Sequence, residues 1–321
     1  MGINIMNQSF VVYQKLAIMS NILIPVDFSL PCHNAYRYGL HLAQDMGCNV
    51  VLVHYYSSSI DPNHPLVFSG DGSINDSYIQ RMRHFAYPSG DGIGYHLVEP
   101  PRGVEVFYES ALTFNTANAI IERAEESDIA AVVMAPRSKT KFMDKWLGST
   151  STTVSEACSR PVYLVPPEVN FSPFERIVVA NNHLTAQSFP LWQIEQLAKK
   201  YQATVHFVHV EWPNQYGPLK FVPWRLMEKL TDSKAQTKYP FKVVTVNKED
   251  ITKGLLEYAD QEAANLVVIV NKLHGHWRAF LRASLTQNLV LRSNKPILVL
   301  HGGEDGVAKD AMKIYADKNL A

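Results

Sequence analysis

The feature that most constrains the fold of this chain is an internal repeat. The run ILIPVDFS at 22–29 and the run IVVANNHL at 177–184 lie 155 positions apart. A second offset, of 135 positions, relates AAVVMA at 130–135 to NLVVIV at 265–270. Similarity that holds at a constant offset over several segments indicates a duplicated domain.

Within each copy, short apolar runs alternate with amphipathic segments such as NAYRYGLHLAQDM and LWQIEQLAKKY. Continuous apolar strands separated by helices are typical of a parallel sheet covered on both faces. The sequence therefore predicts an α/β protein of two tandem, doubly wound, five-stranded parallel-sheet domains. The strands are predicted at 22–26, 50–54, 104–108, 130–134 and 162–165, and again at 176–180, 204–209, 242–246, 265–270 and 297–300.

The same pattern sets the expected domain limits. Met19 is the expected natural start, because the first strong strand begins a few residues later. Two stretches, 57–102 and 211–240, are predicted to be less regular than the rest of each copy. The predicted organisation is an N-terminal extension (1–19), a first domain (20–167), a linker (168–174), a second domain (175–301) and a charged tail (302–321).

Composition excludes several classes of function. The chain has 30 acidic and 30 basic residues, so no overall field attracts nucleic acid or an anionic membrane. Its three cysteines are scattered, which predicts cytosolic thiols rather than a disulfide or metal framework. No apolar run is long enough to span a bilayer, and no cleavage site follows the first residues. We expect a soluble, cytoplasmic protein.

Sheets of this type bind ligands at the carboxyl ends of their strands, near the switch point. Asp27 follows the first predicted strand. Its carboxylate could accept hydrogen bonds from a ribose hydroxyl or a base edge, or it could serve as a helix N-cap or turn residue. The sequence leaves both roles open.

The loop after the fourth strand ends in Gly148, Ser149 and Thr150, at an expected helix start. The N–H groups and the positive dipole end of a helix can hold a phosphate there, although plain N-capping by Ser or Thr uses the same residues. Four basic residues in the loop could neutralise phosphates or form a solvated face; they are Arg137, Lys139, Lys141 and Lys145.

Together, the ILIPVDFS opening, the strand–helix order and the spacing of the loop resemble the universal stress protein family, as a tandem two-domain member covering nearly all of 20–301. The nucleotide-binding branch of that family carries Gly, two residues, Gly, nine residues, then Gly-Ser or Gly-Thr. Here Ala135, Ser138, Gly148 and Ser149 keep that spacing.

The resemblance implies ATP or AMP as ligand, with magnesium only as a companion of the nucleotide. Asp27 would hold the ribose or adenine side, and Pro25, Val26 and Val53 would lie against the base. The backbone at Ser149, Thr150 and Ser151 would carry the phosphates. The resemblance also implies that the last strands, VYLV and ILVL, pair within one chain as an intramolecular pseudo-dimer.

Departures from the pattern qualify this expectation. Alanine and serine at 135 and 138 add a Cβ and restrict positive φ, which predicts weakened binding. In the second copy the carboxylate becomes Asn182, and the loop positions become Val270, Leu273, Ala283 and Ser284. Valine cannot adopt positive φ without strain, so the second site is predicted to be lost.

The remaining signals carry less chemistry. His54 and His209 occupy equivalent places and are interpreted as strand-end packing residues rather than catalysts. HGH at 274–276 has no evident partners for a metal site. No nucleophile and base pair is visible, so we expect a non-enzymatic protein acting through conformation or protein partners. An interaction scaffold without nucleotide and a slow ATPase are the alternatives, and a homodimer stays open.

Overall fold

The computed structural model of the chain describes residues 20–57, 73–87, 98–136, 149–167, 169–181, 190–211, 239–272 and 279–302. The first half contains four helices and five strands among these residues. They are β1 (Asn21–Pro25), α1 (Leu30–Met46), β2 (Asn49–Tyr56), α2 (Ser73–Ala86), β3 (Val106–Leu112), α3 (Thr116–Ala124), β4 (Ile129–Met134), α4 (Ser149–Ala157) and β5 (Val162–Leu164).

The described part of the second half repeats the alternation, from β6 to β10. Its elements are β6 (Arg176–Ala180), α5 (Leu191–Tyr201), β7 (Thr204–Glu211), β8 (Phe241–Asn247), α6 (Ile251–Gln261), β9 (Leu266–Lys272), α7 (Ala279–Arg292) and β10 (Ile297–Gly302). The α/β class and the two tandem copies predicted from the sequence are confirmed.

The ten strands in the described part of the chain belong to one sheet, in the order β3-β2-β1-β4-β5-β10-β9-β6-β7-β8. Each half is parallel, and the halves meet where β5 and β10 pair in antiparallel fashion, with Tyr163 opposite Leu298. The expected pairing of the two last strands within one chain is therefore confirmed. The offset of 135 is also exact in register, since Val132 pairs with Val162 and Val267 with Ile297.

Strand residues alternate between two apolar layers, and each layer runs through both halves. Ile22 and Ile24 of β1 face the layer covered by α1, α2 and α5. Leu23 faces the opposite layer, which α3, α4, α6 and α7 cover. Because neither layer is interrupted at the β5–β10 junction, the two halves share their core rather than merely touching.

Capping residues explain where several of the helices begin and end. Ser29 caps α1 by accepting a hydrogen bond from the Cys32 N–H, and Gly47 ends the helix in the left-handed region with φ 65°. Asn115 and Asp250 cap α3 and α6 in the same way as Ser29. The connection between the halves packs Phe174, which is fully buried, beneath Tyr163.

The stretch 57–102, expected to be less regular than the rest of the domain, contains the helix α2. The helix buries Met82 and Phe85 and packs Ile79 against the same layer as α1. Apolar residues three apart on one face make this segment helical despite its Gly-, Pro- and Ser-rich surroundings.

Candidate functional site

The first half has its topological switch point between β1 and β4. The chain leaves β1 toward β2 and β3 on one side and returns to β4 and β5 on the other. Crevices at the carboxyl ends of such strands are the usual ligand sites of open α/β sheets. Asp27 follows β1 and Ala135 follows β4, so the structure brings these two predicted residues to the same edge.

Asp27 is exposed at this edge and acts as a turn residue. Its Oδ1 accepts hydrogen bonds from the N–H of Ser29 at 3.0 Å and from the Oγ of Ser29 at 2.6 Å. Ser29, not Asp27, is the N-cap of α1. The carboxylate of Asp27 thus orients the capping Ser29, and the side chain of Asp27 is exposed to solvent.

The three residues expected against a base lie differently from one another. Val26 and Val53 are 5% and 1% exposed, and their side chains belong to opposite core layers. The N–H of Val26 donates to the carbonyl of Val53 at 2.8 Å, which closes the edge of the sheet there. Pro25 is the one of the three that is partly exposed, so a ring at this edge would meet Pro25 and backbone.

Sequence reasoning missed two residues beside Asp27. Phe28 has φ 61°, a left-handed conformation that a bulky residue adopts only when its surroundings impose it. Its ring lies 4.7 Å from the ring of His54, and the guanidinium of Arg81 on α2 stands 4.0 Å from its centroid. Phe28 could have been found from the sequence, because it follows Asp27 directly. Arg81 could not, because it lies in the stretch 57–102, which was expected to be less regular.

His54 and His209 perform the same task in the two copies. Nδ1 of His54 donates to the carbonyl of Val26 at 2.7 Å, and Nδ1 of His209 donates to the carbonyl of Asn181 at 3.0 Å. Burial is the main cause that lowers the pKa of His54, which keeps its imidazole neutral. Both histidines therefore tie the ends of adjacent strands together.

The helix expected to receive phosphates begins at Ser149. Thr150 is partly exposed in its first turn, and Ser151 is 2% exposed. N–H groups in the first turn of a helix are directed toward its start, where the dipole is positive. Arg137, Ser138 and Gly148, like the side chain of Ser149, lie outside the described residues.

Comparison with known proteins bears on this arrangement. The sequence profile described as Universal stress protein family matches residues 19–166 and again residues 173–301. This chain belongs to the universal stress protein family. Two matches in one chain make it a tandem member, in agreement with the resemblance seen in the sequence.

Two solved structures with TM-scores above 0.5 show the same fold at low identity. A universal stress protein from Archaeoglobus fulgidus DSM 4304 is 19% identical with a TM-score of 0.59, covering 90% of this chain and 98% of that chain. A functionally unknown protein from Pseudomonas aeruginosa PAO1 is 10% identical with a TM-score of 0.53, covering 95% and 99%. The universal stress protein from Archaeoglobus fulgidus in complex with dAMP matches at 17% identity and a TM-score of 0.29, over 41% of this chain and 100% of that chain. No curated protein sequence matches significantly.

The second universal stress protein domain differs from the first where its own switch point, between β6 and β9, should open. In the first domain β4 ends at Met134, and Ala135 already stands outside the strand. In the second domain β9 continues to Lys272, and Val270 pairs with Leu300 of β10. The first position of the expected loop is thus part of the sheet. Asn182 and Leu273 lie outside the described residues, as do the side chains of Ala283 and Ser284.

Two further findings concern metals and membranes. Among the described residues, no three His, Cys, Asp or Glu side chains are grouped so that they could hold a metal ion. The HGH run at 274–276 lies outside that part of the chain. No helix within the described ranges is both long and apolar enough to cross a bilayer.

Proposed function

We propose that this universal stress protein binds ATP or AMP weakly at the switch point of its first domain and acts in the stress response through conformation or protein partners. The observation that carries the proposal is the meeting of Asp27, Ala135 and the start of α4 at one carboxyl edge. Neither domain needs to catalyse a reaction for this role. Its place of action would be the cytoplasm.

Each part of the edge suits one part of an adenine nucleotide. The exposed carboxylate of Asp27 can accept hydrogen bonds from ribose hydroxyls or from the exocyclic amine of adenine. Pro25 offers an apolar surface to the ring. The start of α4, at Ser149 to Ser151, attracts phosphates, and the basic residues between 137 and 145 add positive charge. Magnesium would enter only with the phosphates.

Binding should be weak because the loop carries side chains where the family pattern has glycine. Ala135 packs partly against the core layer beneath α1, and its Cβ disfavours the positive φ that glycine allows at this position. We expect a dissociation constant in the micromolar to millimolar range, equivalent to roughly 4–8 kcal/mol. In the second domain, Val270 stands in the sheet, so that domain is proposed to bind no nucleotide.

Calorimetry on the full chain tests the proposal. Asp27→Ala should weaken ATP binding about tenfold, because one hydrogen-bonded group of the site is lost. Asn182→Ala is the matched control, since it truncates the residue at the equivalent position of the second copy to alanine and should leave affinity unchanged. Ala135→Gly combined with Ser138→Gly should bind more tightly than the natural sequence. If neither the natural chain nor the glycine variant binds adenine nucleotide at millimolar concentration, the protein is an interaction scaffold instead.

A further inference from the structure

The far end of the helix α4 is held by the second domain. The Nε2 of His301 on β10 donates to the carbonyl of Glu156 at 3.1 Å. The side-chain amide of Asn271 on β9 donates to the carbonyl of Ser155 at 3.4 Å. Both carbonyls belong to the last turn of α4. Carbonyl groups in the last turn of a helix receive no hydrogen bond from within the helix.

These two donors are desolvated. Asn271 is 7% exposed and His301 is 8% exposed. Burial is the largest cause lowering the pKa of His301, so the ring is neutral and carries its proton on the nitrogen that faces the carbonyl. The other ring nitrogen, Nδ1, is buried and has no hydrogen-bond partner among the described residues. Loss of Asn271 would leave the buried carbonyl of Ser155 without this donor, and loss of His301 would remove the donor to the carbonyl of Glu156.

The equivalent positions of the first domain lack these two side-chain donors. The offset of 135, which the sheet register confirms, places Asn271 on Pro136 and His301 on Pro166. Proline has neither an N–H nor a side-chain donor, so the first domain cannot cap α7 in the same manner. At these two paired positions, the side-chain donors stand on the side that holds α4.

From these contacts we infer that the second domain is a positioning element for the phosphate-binding helix of the first, with His301 and Asn271 as the positioning residues. The inference rests on the proposed function. The helix α4 has nine residues and is about 13 Å long. The capped carbonyls lie at its C-terminal end, and the candidate phosphate site lies at its N-terminal end. Satisfying its last carbonyls opposes fraying and keeps its first-turn N–H groups aligned. By linkage, nucleotide at the start of α4 strengthens the contact between the domains.

The test compares three variants of the full chain by ATP calorimetry. His301→Leu removes the donor and should raise the dissociation constant about fivefold, the change that one net hydrogen bond corresponds to. His301→Gln keeps an amide donor near the position of Nε2 and should bind within about twofold of the natural chain. Leu298→Ala is the control, because Leu298 lies on the same strand but belongs to the opposite core layer. It should lower stability by about the cost of a core cavity and leave ATP affinity unchanged.

Hydrogen exchange without nucleotide gives the second readout. The amides of α4 should exchange faster in His301→Leu than in the natural chain, and His301→Gln should restore protection. Natural affinity in His301→Leu, or equal losses in all three variants, overturns the inference while the proposed function stands. If the natural chain binds no ATP, the proposed function fails and the positioning role fails with it.

Discussion

The guanidinium of Arg123 on α3 joins that helix to the sheet, and the cost of changing one of its acidic partners can be predicted in magnitude. Its Nε and Nη2 donate to Glu109 of β3, each at 2.9 Å. Its Nη1 and Nη2 donate to Asp128 at 2.8 and 2.9 Å, and Asn21 donates to the same carboxylate at 2.8 Å. A third acidic residue, Glu126, stands 3.2 Å from Nη1. Arg123 and Asp128 also line a cavity of about 480 Å³ beside β3.

Asp128→Asn is the informative change. The variant keeps the shape of the side chain but loses its charge, and with it the paired bonds from Arg123. A hydrogen bond to a charged group contributes about 1.5–3 kcal/mol when fully buried. Asp128 is 27% exposed and Arg123 13%, and asparagine keeps one acceptor, so we expect a loss of about 1–2 kcal/mol at neutral pH. Glu126→Gln is the matched control on the same guanidinium; Glu126 is 62% exposed and should cost less than about 0.5 kcal/mol.

The effect should depend on pH with a definite sign. The hydrogen bonds from Arg123 are the main cause that lowers the pKa of Asp128 below its ordinary value. A carboxyl with a lowered folded pKa contributes stability that is present above its unfolded pKa of about 4 and is lost as the pH falls through the folded pKa. The difference between the natural chain and Asp128→Asn should therefore be constant from about pH 5 to 8 and shrink below about pH 4.

Urea unfolding followed by circular dichroism measures both quantities. The free energies of unfolding of the natural chain, Asp128→Asn and Glu126→Gln are compared at neutral pH and at about pH 3. Equal losses in the two variants at neutral pH would refute the reasoning, because they would show that burial of the pair does not matter. A difference that grows as the pH falls would refute the assigned direction of the pKa.

Two other outcomes are expected. With ATP and magnesium, the protein should release phosphate no faster than a buffer control, because the sequence shows no pair of nucleophile and base; a rate proportional to protein that disappears in Asp27→Ala would contradict this. The thiols of Cys32 and Cys158 are buried, which raises the pKa of Cys32 to about 12 and that of Cys158 to about 11, so a water-soluble disulfide reagent at about pH 8 should label them only after unfolding. Rapid labelling of the native protein would show that these core positions open readily.

The fold could be predicted from the sequence because two independent sequence patterns agreed. The constant offset gave the duplication, and the apolar runs gave the strands; Val132 and Val267 show that the offset is exact in register. The helix α2 was missed because Gly, Pro and Ser before it outweighed the spacing of Ile79, Met82 and Phe85. Composition of the surroundings is a weaker indicator than the periodicity of a segment itself.

Only the approximate position of the candidate site could be predicted from the sequence. The sequence placed Asp27 at a strand end, but its role in the turn depends on where the hydroxyl of Ser29 points. The conformation of Phe28 depends on packing against α2, which no local pattern reveals. The cap that His301 makes on Glu156 joins residues 145 positions apart, and it exists only because β5 and β10 run antiparallel. Tertiary contacts of this kind leave little trace in a single sequence.

The antiparallel junction of β5 and β10 has a consequence for how the protein meets other molecules. The strands of each half run parallel to one another, and the two halves run in opposite directions. The carboxyl ends of the strands in the first domain therefore lie at one edge of the sheet, and those of the second domain lie at the opposite edge. Molecules that meet these two edges would therefore approach the sheet from opposite directions and would not contact the same surface.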